Sequence, residues 1–307
     1  MAAIETTGLT KRYGDVVALD GLDLTVESGE IFGFLGPNGA GKSTTINILL
    51  DYARATSGEA SVLGHDSRTE TREIRKRIGI LPDGTSLYDR LTAREHVEFA
   101  VASKDADDSV EKLLERVGLA DAMDRKAGGF SKGMAQRLSL AIALVGSPDL
   151  LIFDEPSSGL DPHGVSRMRE IINEERDRGA TVFFSSHILS QVEAVCDRVG
   201  IMNDGELVAQ DSIDGLRESL GSGSRVTLTV DSVPSLDSVR SVAGVTDVRV
   251  DGNRVVVSCE ADEVKSDAIA AVHSTGVGVE NVEIDETSLA ELFESYTETD
   301  DREVVEA

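Results

Sequence analysis

The stretch Gly36-Pro37-Asn38-Gly39-Ala40-Gly41-Lys42-Ser43-Thr44 constrains this chain more than any other. It fits the pattern G-x-x-x-x-G-K-S/T. The apolar run before it, Ile31-Phe32-Gly33-Phe34-Leu35, reads as a buried strand, and Thr45-Ile46-Asn47-Ile48-Leu49-Leu50 after it as the start of a helix. A strand, a Gly-rich turn and a helix form the context that the pattern needs. Glycines let the backbone close around phosphate oxygens, with successive N–H groups aimed at the anion. The helix N-terminus adds its positive dipole end. In that arrangement Lys42 reaches the β- and γ-phosphates, and Ser43 offers its hydroxyl to Mg²⁺. The plain alternative is a β-to-α turn with no ligand.

A second run, Leu150-Leu151-Ile152-Phe153, is apolar at every position and ends in Asp154-Glu155. Such runs are strands buried on both faces of a parallel sheet. Ligands bind at the carboxyl ends of such strands in open α/β sheets. Asp154 suits Mg²⁺, directly or through water. Glu155 suits the polarising of an attacking water. A solvated acidic turn before Pro156 is the competing reading. Another buried strand, Thr181 to Ser185, leads to Ser186-His187. A lone His is most often structural; its place after the strand that follows the acidic one favours a γ-phosphate contact.

Residues 4–35 otherwise read as short strands, with a turn at Lys11-Arg12-Tyr13-Gly14. Tyr13, ahead of the phosphate loop, suits stacking on an adenine ring, or is a rim tyrosine with a wet hydroxyl. A strand around Ala60 to Leu63, a charged segment and a strand at Ile78 to Leu81 precede the loop signal Pro82-Asp83-Gly84. Residues 91–145 read as helical, with Val110, Leu113, Leu114 and Val117 at i, i+3, i+4 and i+7. That block interrupts a β/α pattern, so a helical subdomain inserted at about 85–145 is expected. Within it Ser131 is the expected N-cap of a helix running to Val145. Gly164 to Arg178 reads as an amphipathic helix with Val165, Met168 and Ile172 on one face. Two strands and a short helix close a first domain, residues 1–220. Gly221 to Ser224 is a linker signal. Beyond it the order β-α-β-β-α-β over 226–284 fits a small α+β, ferredoxin-like unit within 225–297, with a hairpin at Gly252-Asn253. An apolar helix, Leu289 to Tyr296, and an acidic tail, 298–307, are expected to follow.

The chain of 307 residues carries 56 acidic and 30 basic side chains, a formal charge of -26. Acidic residues recur along the whole length. Such a surface repels phosphate backbones and anionic lipid heads, which argues against nucleic-acid partners and direct lipid anchoring. It suits a salt-rich cytoplasm, where charge is screened, or an ordinary acidic protein. Cys196 and Cys259 stand in apolar stretches and read as buried free thiols of a reducing compartment. Met1-Ala2-Ala3-Ile4-Glu5 shows no leader pattern. Apolar runs such as Leu140 to Val145 are too short to cross a bilayer, so work at a membrane requires another chain.

These motifs together resemble the ATP-binding subunit of an ABC transporter, over residues 4 to about 215, in the branch that serves drug, antibiotic or lipid exporters. Gly36 to Thr44 resembles the Walker A loop, and Leu150 to Glu155 Walker B with its catalytic glutamate. Ser131-Lys132-Gly133-Met134-Ala135-Gln136 resembles the signature motif. Ser158-Gly159-Leu160-Asp161 resembles the D-loop, His187 the switch histidine and Tyr13 the A-loop aromatic. The signature discriminates, since Walker motifs occur in many unrelated ATPases. It departs from the usual pattern at Phe130 and Lys132. Asp83 stands where the family carries the Q-loop glutamine; a carboxylate there can meet Mg²⁺, but it is shorter and adds negative charge near the phosphates.

The resemblance implies a P-loop NTPase α/β core and Mg-ATP hydrolysis with Glu155, His187 and Lys42 as catalytic groups. It implies a second ATP-binding subunit, as a homodimer, that presents Ser131, Gly133, Gln136 and Asp161 in trans. It also implies an integral membrane permease that holds the subunit at the inner face of the cell membrane. A soluble ABC-type ATPase that works on nucleic acid or ribosomes is the rival. Such proteins normally carry two cores or long coiled coils, and neither is visible here.

Overall fold

The computed structural model describes residues 1–84, 87–219, 225–232, 235–259, 262–285, 289–290, 293 and 296. The expected linker at 221–224, most of the helix Leu289 to Tyr296 and the acidic tail lie outside these residues. The chain divides into two compact units, Met1–Gln210 and Asp211–Ala307. The composition placed that division ten residues later.

The first unit opens with two long strands, β1 (Ala2–Tyr13) and β2 (Val16–Glu27), paired antiparallel. The sequence reading of short strands is corrected here. Lys11, Arg12 and Tyr13 continue β1, and only Gly14 and Asp15 make the turn. Buried Ile4, Leu9, Leu19, Leu22, Leu24 and Val26 hold the pair to the core. Next come β3 (Ile31–Leu35), α1 (Lys42–Leu49), β4 (Ser57–Val62) and β5 (His65–Asp66). The charged segment that follows forms a short helix, α2 (Thr71–Arg77), and leads into β6 (Ile78–Leu81). Between β6 and the acidic strand run α3 (Ala93–Lys104), α4 (Val110–Arg116) and α5 (Lys132–Ala143). Each starts on a side-chain cap: Thr92 in a capping box with Glu95, then Ser109 and Ser131. The unit ends with β7 (Leu150–Asp154), α6 (Pro162–Asp177), β8 (Thr181–Ser186), α7 (Leu189–Glu193), β9 (Arg198–Asn203) and β10 (Glu206–Asp211).

Two sheets result. One has the order β2-β1-β4-β5; the other has the order β10-β9-β3-β8-β7-β6. In the second, β9, β3, β8, β7 and β6 are parallel. Every residue of β3, β7 and β8 is buried, as strands covered on both faces require. Phe183 on β8 stacks on Phe32 of β3 at 5.9 Å and meets Phe34 at 5.2 Å. Each such ring contributes about 1.5–3 kcal/mol by burial, which clamps β3 and β8 side by side.

The second unit contains α8 (Ile213–Ser219), β11 (Arg225–Val230), α9 (Asp237–Arg240), β12 (Val245–Asp251), β13 (Arg254–Cys259), α10 (Asp262–Ser274) and β14 (Val279–Asp285). Its sheet has the order β12-β13-β11-β14, with antiparallel pairs throughout. Val226, Leu228, Val255, Val257 and Cys259 of the sheet pack with Val239 of α9 and Ala268 and Val272 of α10. Cys196 and Cys259 are both free thiols.

Candidate nucleotide site

Sheet order brings the scattered motifs to one edge. β8 lies between β3 and β7. Leu35 is level with Ser186, and Asp154 is level with Ser185. Because the three strands are parallel, the Gly-rich loop, the acidic pair and His187 all leave the sheet at the same end.

The loop is close-packed from behind. Gly41 caps α1 with φ 105°, a conformation that favours glycine. A methyl group there would lie 2.6 Å from the Ala18 carbonyl oxygen; one at Gly36 would lie 2.7 Å from that of Met202. No side chain caps α1, so its first-turn N–H groups stay available to an anion. Lys42 is 7% exposed, and its Nζ donates to the carbonyls of Gly36 at 2.6 Å and Pro37 at 3.1 Å. Burial pulls its pKa down, while the Glu155 and Asp154 carboxylates push it back up. Lysine and acids therefore share one field. Ser43 is exposed, and its hydroxyl has no partner among the described residues.

Asp154 is buried. Ser185 donates its hydroxyl to Asp154 Oδ1 at 2.5 Å and accepts the Glu155 N–H at 3.2 Å. Oδ2 of Asp154 has no hydrogen bond among the described residues. Glu155 holds φ 47°, in the left-handed region that a non-glycine residue rarely occupies. Its Oε1 lies 2.9 Å from His187 Nδ1. The sequence reading took Ser185 as the end of a buried strand and gave it no role. A buried hydroxyl at the carboxyl end of the strand, level with the acidic residue of its neighbour, was the available signal.

The signature residues gather elsewhere, around the loop after β7. Ser131 caps α5 through the Met134 N–H at 3.2 Å. A methyl at Gly133 would stand 2.9 Å from the Gly159 carbonyl oxygen. Lys132 lies along Gly159 and donates to Ser158 Oγ at 2.9 Å. Gln136 is 4% exposed and donates to the Pro156 carbonyl at 2.9 Å, so its amide faces inward within the chain. Asp161 is exposed, but its Oδ1 is engaged as the α6 cap, accepting from Gly164 N–H at 2.7 Å.

Tyr13 is half exposed, and Lys11 Nζ lies 4.5 Å from its ring centre, over one face. Asp83 is exposed, in the loop just beyond β6. Among the described residues no cluster of three or more His, Cys, Asp or Glu is placed to hold a metal alone. Among the described residues no helix is long and apolar enough to cross a membrane.

Comparison with known proteins agrees with this geometry. The family model described as "ABC transporter" matches residues 19–158. The bacitracin transport ATP-binding protein BcrA of Bacillus licheniformis is 42% identical over 218 residues, covering 70% of this chain and 71% of that one. The daunorubicin resistance ATP-binding protein DrrA3 of Streptomyces coeruleorubidus is 34% identical over 313 residues, covering 99% and 98%. Among solved structures, an ATP-binding subunit of an ABC transporter superposes with a TM-score of 0.67 at 30% identity, covering 71% of this chain and 93% of that one. The phosphate loop, the acidic strand and these relatives together make the chain a member of the ABC transporter ATP-binding proteins, an ATPase subunit that binds ATP and powers transport.

Proposed function

We propose that this subunit drives small-molecule export through a separate membrane permease, by closing on ATP with a second copy of itself. The relatives named for bacitracin transport and daunorubicin resistance support the direction and the class of cargo. The observation that carries the catalytic part is the 2.9 Å contact between Glu155 and His187, beside the loop that holds Lys42.

In this reading the loop from Gly36 to Thr44 cradles the phosphates through backbone N–H groups. Lys42 exchanges its own-loop carbonyls for β- and γ-phosphate oxygens, a swap that its buried position favours. Tyr13 takes the adenine on the face that Lys11 leaves open. Ser43 and the unengaged oxygen of Asp154 fit Mg²⁺, which neutralises phosphate charge when bound. Asp83, exposed in the loop after β6, belongs to the permease-sensing loop in this reading; we assign it no metal. Glu155 orients the attacking water, and His187 holds both that carboxylate and the γ-phosphate side. The partner copy closes the site with Ser131 and Gly133 at the N-terminus of α5. Gln136 and Asp161 shape the surface that closes, by supporting the loop at Pro156 and the start of α6.

In the same reading α3, α4 and α5 form the inserted helical subdomain at about 85–145, within a core of residues 1–220. The β-α-β-β-α-β unit within 225–297 is a ferredoxin-like accessory domain. The subunit sits at the cytoplasmic face through its permease, without a lipid anchor or nucleic acid. The acidic surface suits a salt-rich cytoplasm.

The test is Glu155→Gln. Turnover of ATP falls roughly 10²- to 10⁴-fold while ATP binding persists, and a dimer accumulates with ATP in size-exclusion runs. Normal turnover would remove Glu155 from its role.

A further inference from the structure

We propose that Ser185 is a positioning residue for the ATPase reaction, a single hydroxyl that sets both carboxylates of the site. The inference rests on the role given to Glu155 above. A hydroxyl has one proton to donate and lone pairs to accept. At Ser185 both are committed, and to neighbouring residues: the proton goes to Asp154 Oδ1, and the Glu155 N–H comes in at 3.2 Å.

The geometry gives this bridge two effects. It occupies one oxygen of Asp154 and leaves the other without a hydrogen bond among the described residues. It also satisfies the N–H of Glu155, whose left-handed backbone needs support from its surroundings to persist. That backbone aims the Glu155 carboxylate at His187 Nδ1. Ser185 is completely buried and touches no solvent, so no water can replace the hydroxyl from outside. The cross-strand register, Asp154 level with Ser185, fixes the bridge in the sheet itself. A polar residue in this buried strand is costly unless its bonds matter.

Removing the hydroxyl therefore misdirects Glu155 without touching the phosphate cradle. Ser185→Ala is expected to lower kcat roughly 10- to 100-fold, with KM for ATP within about twofold, since small misplacements of reacting groups cost rates of that order. Binding of a fluorescent ATP analogue stays unchanged. Ser185→Thr, which keeps the hydroxyl, restores most of the rate. Ser185→Val, alike in shape to Thr, does not; this pair keeps the comparison valid if Ala lowers the melting temperature. The double variant Ser185→Ala with Glu155→Gln is slower than Glu155→Gln alone by less than Ser185→Ala slows the parent, because part of the serine's effect passes through the same carboxylate. Equal rates for the Thr and Val variants overturn the inference, as does parent-level kcat in Ser185→Ala while Glu155→Gln is slow. If Glu155→Gln itself turns over normally, the role of Glu155 fails first and the positioning role falls with it.

Discussion

Gly41 joins the phosphate loop to α1, and its replacement by Ala measures how tightly the cradle is built. Two costs add. A side chain at φ 105° sits in backbone space that costs about 1–2 kcal/mol for an L-residue. The new methyl would also lie 2.6 Å from Ala18 O and 2.7 Å from Leu19 Cδ2. Relieving such overpacking costs about 1–3 kcal/mol. Gly39→Ala is the matched control, with φ 92° and no atom within 4 Å of its added methyl. Both changes stiffen the unfolded chain alike, by about 0.4–1 kcal/mol, so that effect cancels between them. The difference isolates the steric part, about 1–3 kcal/mol. With an urea slope of about 2 kcal/mol/M, the unfolding midpoints of the first unit separate by about 0.5–1.5 M, read by circular dichroism. ATP-analogue affinity falls further in Gly41→Ala, because the shift moves the first amides of α1. Coincident midpoints would refute the argument that Ala18 and Leu19 back the loop.

His187→Ala is expected to cut kcat by about 10²-fold while stability moves by less than about 0.5 kcal/mol, since the ring is 57% exposed; steady-state rates and melting curves check the two halves. Glu175→Ala removes the buried carboxylate that receives Arg116 at 2.6 Å and Arg178 at 2.7 Å, leaving Arg116 on Glu174 and Arg178 on the Ser147 and Pro148 carbonyls. The loss belongs near the low end of about 3–5 kcal/mol, since both arginines keep partial solvent, and thermal unfolding tests it. Lys104 Nζ donates to Ile78 O at 2.9 Å and Val145 O at 2.8 Å, and burial holds its pKa below the usual 10.5. The unfolded chain then binds more protons than the folded one just below pH 10.5, so stability from this site rises as pH climbs through that window. Denaturation of parent and Lys104→Met across alkaline pH should show the gap widening in favour of the parent; a gap that narrows contradicts the sign.

Much of the site is written along the chain because its parts are local. The phosphate loop needs its glycines, lysine and serine within one turn of backbone, so the sequence alone identifies it. Likewise, an uninterrupted apolar run before Asp154-Glu155 marks a buried strand before any fold is known. The same holds for the cap at Ser131 and for the alternation of strands and helices beyond residue 225.

Other features depend on neighbours that the chain brings together from a distance. The motif names Gln136, but only the fold shows its amide bonded to Pro156, twenty residues on in the same chain. Lys11 covers a face of Tyr13 because β1 runs on through both, where local turn residues had ended it. Ser185 meets Asp154 and Glu155 only because β7 and β8 are adjacent and level in the sheet. Local pattern decides which residues form strands and which turns can hold an anion. Strand order and register decide which side chains face each other across the sheet, and those depend on how all the apolar faces pack at once.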